Sequence, residues 1–280
     1  MYVYRSDYSL YERNMQMDLN ISGKRAVITG GSKGIGREIA LTLSKEGVDV
    51  LICARGQENL DNTVSYIRSQ TNGKVIGITG DLKLKSECDK IMDFAIENLG
   101  GVDILVCSAN QPGGGTFFSL EEKDWSDHMD VKFMSSFHCA RKAIPDMQSR
   151  QWGRVILIAG MGSRGYRPYA MDNGPVCAAL ANFGKQLANQ VVGDGICVNV
   201  ILPGITNTPR RIERMKTTAN LENKSLEEVE AQELQGIPMG RFIRSDEIAD
   251  LTAFLSSDRA ASIVGQNIAI DGGASEAVFY

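Results

Sequence analysis

The run Ala26-Val27-Ile28-Thr29-Gly30-Gly31-Ser32-Lys33-Gly34-Ile35-Gly36 decides how this chain folds. Four residues suited to a buried strand lead straight into a glycine cluster, and a helical pattern over residues 34–46 follows at once. Glycine here permits a tight turn and a close backbone approach to a bound group. The unpaired N–H groups at the helix start then suit a pyrophosphate. A glycine cluster alone carries little weight. Set between a strand and a helix, at the head of an alternating chain, it marks a dinucleotide loop.

Outward from this loop the alternation continues. Strand-like runs fall at residues 26–29, 48–53, 75–79, 103–107, 155–159, 196–201 and 267–270, with helix-length segments at 34–46, 57–70, 86–99 and 121–148. Strands alternating with helices imply βαβ units and a parallel sheet covered on both faces. Right-handed crossovers favour the doubly wound arrangement. The expected fold is therefore α/β: a single Rossmann-type doubly wound parallel sheet of about seven strands with helices on both faces. No repeat or low-complexity linker divides residues 17–280, which read as one domain. Residues 1–16 read as an N-terminal extension, either an alternative-start addition ahead of a natural start at Met17 or an arm that lies on a neighbouring subunit. Residues 208–235 are charged and rich in glutamate. They read either as a plain solvated helix pair or, on the favoured reading, as a lid over the substrate end.

Composition excludes several classes of function. The chain has 280 residues, 43% hydrophobic and 23% charged, with a net charge of −4. No basic footprint for nucleic acid is present, and the apolar runs are strand-length, which argues against a membrane span. Cys53, Cys88, Cys107, Cys139, Cys177 and Cys197 are scattered, and no secretory leader is evident; a reducing cytoplasm is the expected compartment. His128 and His138 stand ten apart on one expected helix and point in different directions, so no metal site is expected.

The end of the second strand bears on the choice of dinucleotide. A carboxylate there would hold the ribose 2′-hydroxyl of NAD(H). The sequence instead reads Cys53-Ala54-Arg55. Arg55, with Lys33 in the loop, can pair with a 2′-phosphate, which favours NADP(H) over NAD(H). The plainer reading leaves both as surface cations.

The stretch Thr29–Gly36 resembles the glycine motif of the short-chain dehydrogenase/reductase family. Further matches are Gly80-Asp81-Leu82, Asp103-Ile104-Leu105-Val106, Gly153-Arg154-Val155, Val198-Asn199-Val200-Ile201-Leu202-Pro203-Gly204, Ile237-Pro238-Met239-Gly240-Arg241 and Ile270-Asp271-Gly272-Gly273. The resemblance covers nearly the whole chain from Asp18. It implies cofactor contacts at Gly30, Ser32, Lys33, Gly34, Ile35, Arg55, Asp81, Leu82, Ala109, Pro203, Gly204 and Thr208. A dimer or tetramer built through the long helices is also implied, composed of this chain alone or shared with an active relative, and acting on a small molecule.

Members of the family generally use a Ser, a Tyr with a Lys four residues on, and an Asn on the preceding long helix. Hydride transfer to a carbonyl leaves an alkoxide that needs a proton, and an unassisted phenol near pKa 10 is a poor donor at neutral pH. This chain departs at all four places. The Ser position reads Ala159-Gly160, the Tyr-x-x-x-Lys segment reads Asn173-Gly174-Pro175-Val176-Cys177, and the long-helix Asn is Lys132. The motif Asn-Asn-Ala-Gly reads Cys107-Ser108-Ala109-Asn110, and no tyrosine has a lysine four residues later. Candidate replacements are Lys132, whose ammonium either reaches the space left at Cys177 or points to solvent, and Asn173, Cys177 and Tyr169. Tyr166 and Asp172 lie nearby. Asn173 also reads as a helix N-cap and Cys177 as a small core residue. Three functions follow: an NADP(H)-dependent oxidoreductase with relocated catalytic groups, a non-catalytic subunit of a hetero-oligomer, or a non-redox lyase, isomerase or hydrolase in the same pocket.

Overall fold

The computed structural model describes residues 17–111, 114–166 and 170–276. The expected extension at residues 1–16 lies outside the described residues, as does Tyr169.

Seven strands form one parallel sheet: β1 (Arg25–Thr29), β2 (Asp49–Ala54), β3 (Val75–Thr79), β4 (Ile104–Cys107), β5 (Gly153–Ile158), β6 (Ile196–Pro203) and β9 (Asn267–Ile270). Their order is β3-β2-β1-β4-β5-β6-β9. The chain winds outward through β1, β2 and β3, then crosses back to place β4 on the other side of β1. That reversal opens a crevice at the carboxyl ends of β1 and β4. The strands are apolar throughout because both faces are covered: β4 and β5 are buried at every residue.

Alternate strand residues feed two cores. Val27, Leu51 and Leu105 pack with Ile91, Cys139 and Leu180 of α3 (Lys85–Leu99), α5 (Ser135–Ser149) and α6 (Asn173–Val191). Ile28, Ile52 and Val106 pack on the opposite face with Ile39, Leu60 and Ile248 of α1 (Gly34–Lys45), α2 (Gln57–Gln70) and α9 (Ser245–Leu255). All six cysteines are buried and free. No described helix is long and apolar enough to cross a membrane.

Two features differ from the sequence expectation. The segment expected as one helix over residues 121–148 is α4 (Glu122–His128), a π-helical turn at Met129–Met134, and then α5. A short parallel pair also forms between β7 (Thr206–Asn207) and β8 (Ile243–Arg244), each too short to show a period. It closes the base of α7 (Pro209–Glu222) and α8 (Leu226–Leu234). This helix pair has its own apolar cluster of Met215, Ala219, Val229, Ile237 and Phe242. Thr208 caps α7 by accepting from Arg211 N at 3.2 Å, and Ser225 caps α8 by accepting from Glu228 N at 3.1 Å.

At the opposite end of the sheet Asp103 ties three segments together. Its carboxylate accepts from Arg25 Nε at 2.7 Å, Arg25 Nη2 at 2.9 Å and Arg25 N at 3.0 Å, with Arg150 Nε 3.2 Å away. Burial pushes the Asp103 carboxyl up, but the Arg25 hydrogen bond and the charges of Arg25 and Arg150 outweigh it and hold it below the usual range. Removing one partner of such a buried pair strands the other charge. We therefore expect Asp103→Ala to cost about 2–3 kcal/mol in urea unfolding, discounted because both arginines keep some solvent contact. The folded-state carboxyl is depressed, so its contribution is present above the unfolded value near 3.9 and lost as pH falls through the folded value. Acid unfolding of Asp103→Ala should accordingly lose part of its pH dependence below pH of about 4.

Candidate active site

A cleft of about 1560 Å³ runs along the carboxyl ends of the strands and under the helix pair. Each of the twelve residues expected to contact a cofactor lines it: Gly30, Ser32, Lys33, Gly34, Ile35, Arg55, Asp81, Leu82, Ala109, Pro203, Gly204 and Thr208. Thr29, fully buried, fixes the crevice by accepting from Ser108 N at 3.0 Å and Ala109 N at 3.2 Å, tying the end of β1 to that of β4. The two ends approach so closely that a Cβ at Gly30 would lie 2.9 Å from Ala109 Cα, and Gly30 has φ +67°. Thr63 Oγ1 donates to Ser32 O at 2.8 Å and holds the loop from below.

The amino end of α1 opens into this cleft. Its N-cap, Lys33, makes no side-chain capping bond, and the first turn carries no acidic residue. Backbone N–H groups are thus left for an anion, with the helix dipole favouring one. Thr208 stands against Gly34, its Cγ2 3.3 Å from where a Cβ would be. The glycine loop and Thr208 suit a diphosphate between them. Farther along, the side chains of Lys33 and Arg55 make no ion pair among the described residues.

The other end of the cleft holds the departures from the family pattern. Lys132 sits in the π-helical turn, only 4% exposed, and lines the cleft beside Asn110, Gly162 and Asn173. The extra residue in such a turn rotates the helix register by about 100° and often marks a functional site. Lys132 Nζ donates to Asn110 Oδ1 at 3.5 Å, its one hydrogen-bond partner among the described residues. Asn110 Oδ1 is also 3.1 Å from His128 Nε2, and His128 Nδ1 lies 2.7 Å from Asp172 Oδ2. His128 and Asp172 are each 2% exposed, and the second carboxylate oxygen of Asp172 is buried without a hydrogen bond to a described residue. Four side chains from four segments make one buried chain: Asp172, His128, Asn110, Lys132.

Electrostatics bind these groups together. Burial pulls the Lys132 ammonium below its usual value; Cys177 opposes that and Arg210 adds to it. Burial likewise lowers His128 against the pull of its Asp172 hydrogen bond, with Lys132 and Arg210 lowering it further. The Cys177 thiol is pushed up by burial, although Lys132 works the other way.

Sequence reading and structure part at Asn173. Asn173 is the first residue of α6, and Asp172, not Asn173, occupies the N-cap position. Neither caps with its side chain. The Asp172 carboxylate goes to His128, while Asn173 Oδ1 accepts from Cys177 Sγ at 3.2 Å. Cys177 is fully buried behind the wall of the cleft; its Sγ lies 3.4 Å from the Cβ position of Gly160, where the family carries its serine segment. Tyr166, the described neighbour of Tyr169, is 86% exposed. The residues missed by sequence are His128, Asn110 and Arg210. Only the lone carboxylate at Asp172 hinted that a partner was needed.

Comparisons with known proteins agree with this architecture. The model of the enoyl-(acyl carrier protein) reductase family matches residues 30–275. The 3-oxoacyl-(acyl-carrier-protein) reductase FabG of Escherichia coli is 30% identical over 259 residues, 91% of this chain and 98% of that protein. D-beta-hydroxybutyrate dehydrogenase of Rhizobium meliloti is 32% identical over 255 residues, 89% of this chain and 98% of its own length. L-sorbose reductase of Gluconobacter frateurii, solved with NADPH and L-sorbose, superposes with a TM-score of 0.90 at 30% identity, covering 94% of this chain and all of that one. A parallel sheet with its crevice between β1 and β4, the glycine loop, and similarity along almost the entire chain together place this protein in the short-chain dehydrogenase/reductase family of oxidoreductases.

Proposed function

We propose that the protein is an NADP(H)-dependent reductase of a small carbonyl compound, with the Lys132 ammonium as proton donor in place of the family's tyrosine. The observation that carries this reading is Lys132 itself, a buried cation on the cleft wall with no carboxylate partner among the described residues. A lysine buried in this way has a lowered pKa, which brings it nearer to what a general acid needs at neutral pH. When bound, the dinucleotide supplies the hydride that reduces the carbonyl carbon. Lys132 delivers the matching proton to the oxygen and is left as an amine, to be reprotonated from solvent through the cleft.

The buried chain behind Lys132 positions it and couples its proton to another. The Asp172 carboxylate accepts from His128 Nδ1–H, so a neutral His128 turns a lone pair toward Asn110. The Asn110 side chain can serve both neighbours in two ways. Its oxygen accepts from an ammonium and an imidazolium; after a half-turn its NH2 group donates to an imidazole and an amine. Proton loss at Lys132 and proton loss at His128 therefore favour each other.

NADP(H) is the preferred dinucleotide because Arg55 and Lys33 line the adenosine end of the cleft and no carboxylate follows Ala54. The L-sorbose reductase and the actinorhodin polyketide ketoreductase that resemble this chain were both solved with NADPH. Arg55→Ala should weaken NADPH binding by about 10–100-fold and leave NADH binding unchanged, read by fluorescence titration. The helix pair α7–α8 serves as the lid, and assembly uses the faces of α5 and α6.

Incubating the protein with NADPH and a panel of ketones, aldehydes and oxo acids tests the reading. Loss of NADPH absorbance with formation of the alcohol supports it. Tight binding without turnover, together with co-purification of an active relative, would make the chain a non-catalytic subunit. Conversion of a substrate at constant NADPH would make it a non-redox enzyme.

A further inference from the structure

We infer that the substrate carries a carboxylate group held by Arg210 and Arg214 of α7 while its carbonyl oxygen meets Lys132. This rests on the reductase reading above and adds the class of substrate to it. Arg210 lines the cleft together with Lys132, Asn110 and Asn173, and Arg214 lines it one helical turn later on the same face. Neither arginine has an ion pair or hydrogen bond with a described residue. Their positions are not neutral choices, because like charges four apart on a helix repel, and each further cation near Lys132 and His128 works against the charged form of both.

The carboxylates that could have answered them are engaged elsewhere. Glu213 accepts from Lys216 Nζ at 2.9 Å and Glu222 from Lys224 Nζ at 2.6 Å. Glu233 is paired with Arg211, and Asp172 with His128. Three cations without a carboxylate partner among the described residues thus line one cleft, Arg210 close enough to act on Lys132 and Arg214 on Arg210, in a chain whose net charge is −4. Two guanidinium groups present planar donor pairs that match a carboxylate edge, and a ligand carboxylate would relieve their mutual repulsion. The alternative destination for Arg210 is the cofactor diphosphate, two residues from Thr208. The open amides of α1 and Thr208 already face that position, whereas Arg210 exerts its field on Lys132, His128 and Asp172.

Calorimetric titration of the NADP+-loaded protein tests this without requiring turnover. The probes are acetoacetate and levulinate, each against its methyl ester, so that charge changes while the ketone does not. At least one acid should bind about tenfold or more tightly than its ester, and Arg210→Gln should abolish that preference while leaving NADPH affinity within about twofold. Arg214→Gln should reduce the preference by a smaller factor. Both arginines lack ion-pair and hydrogen-bond partners among the described residues, so the variants should retain the wild-type melting temperature. Equal binding of acid and ester, or no binding of either acid, overturns the inference. So does a loss of NADPH affinity in Arg210→Gln with the acid preference unchanged, which assigns the arginine to the diphosphate. Acid preference without NADPH oxidation would leave the anion site standing and remove the reductase reading; oxidation of NADPH by ester and acid alike would do the reverse.

Discussion

Replacing Lys132 by methionine should lower kcat for NADPH-dependent carbonyl reduction by about a thousandfold, with NADPH affinity changed by no more than about twofold. Methionine nearly fills the volume of the lysine side chain and removes only the ammonium. The site is buried and its cation has just the long contact to Asn110 among the described residues, so its loss releases a desolvation cost more than it breaks an interaction. Thermal stability should therefore be unchanged or higher, which separates a lost proton donor from a misfolded protein. The pH profile supplies a second reading. The donor is the charged form, and burial lowers its pKa, with Arg210 lowering it further against Cys177. Wild-type reduction should decline as pH rises through that lowered value, and the residual rate of Lys132→Met should show no such limb. Full activity in Lys132→Met would rule out the proposed acid.

The second large effect is expected at Gly36→Ala. A methyl group there would lie 2.4 Å from the carbonyl oxygen of Gly30 and 3.2 Å from Gly31 Cα. The obstacle is backbone on both counts, so no side chain can rotate aside; the loop must move away from the helix. Movement of the loop disperses the amides that face the cleft and disturbs the contact between Gly30 and Ala109. We expect a stability loss of about 2–3 kcal/mol in denaturant unfolding and a loss of NADPH affinity of about a hundredfold or more. Gly193→Ala is the matched control. A Cβ at Gly193 meets nothing within 4 Å, and its φ is not positive, so its effect should stay within about 0.5 kcal/mol. Equal behaviour of the two variants would show that the loop tolerates displacement.

The sheet was legible because each strand announces itself locally. An apolar run such as Ile104–Cys107, flanked by helix-length segments, has few ways to be buried other than as a central parallel strand. The glycine loop was legible for a similar reason: a strand, four glycines and the start of a helix lie within twelve residues of one another. The reacting end is different in kind. Asn110 and His128 are 18 residues apart, and His128 and Asp172 are 44 apart. No period or spacing rule relates them, and His128 reads in sequence as one more helical residue. Asn173 misled because an asparagine followed by Gly174 and Pro175 has the form of a capped helix start. The bond that would have made it a cap goes to Cys177 instead.

The residues between Arg25 and Gly36 determined by themselves that a strand would deliver an open helix terminus to the edge of a crevice, since backbone sterics and dipoles act over a few residues. Whether Lys132 faced solvent or the cleft was settled only by the folded molecule. A single additional residue in the turn at Met129–Met134 swings the helix register, and packing against α6 and the end of β4 selects the direction. Local chemistry wrote the anion-binding loop; the register of one helix against its neighbours, which depends on the whole sheet, placed the buried charge.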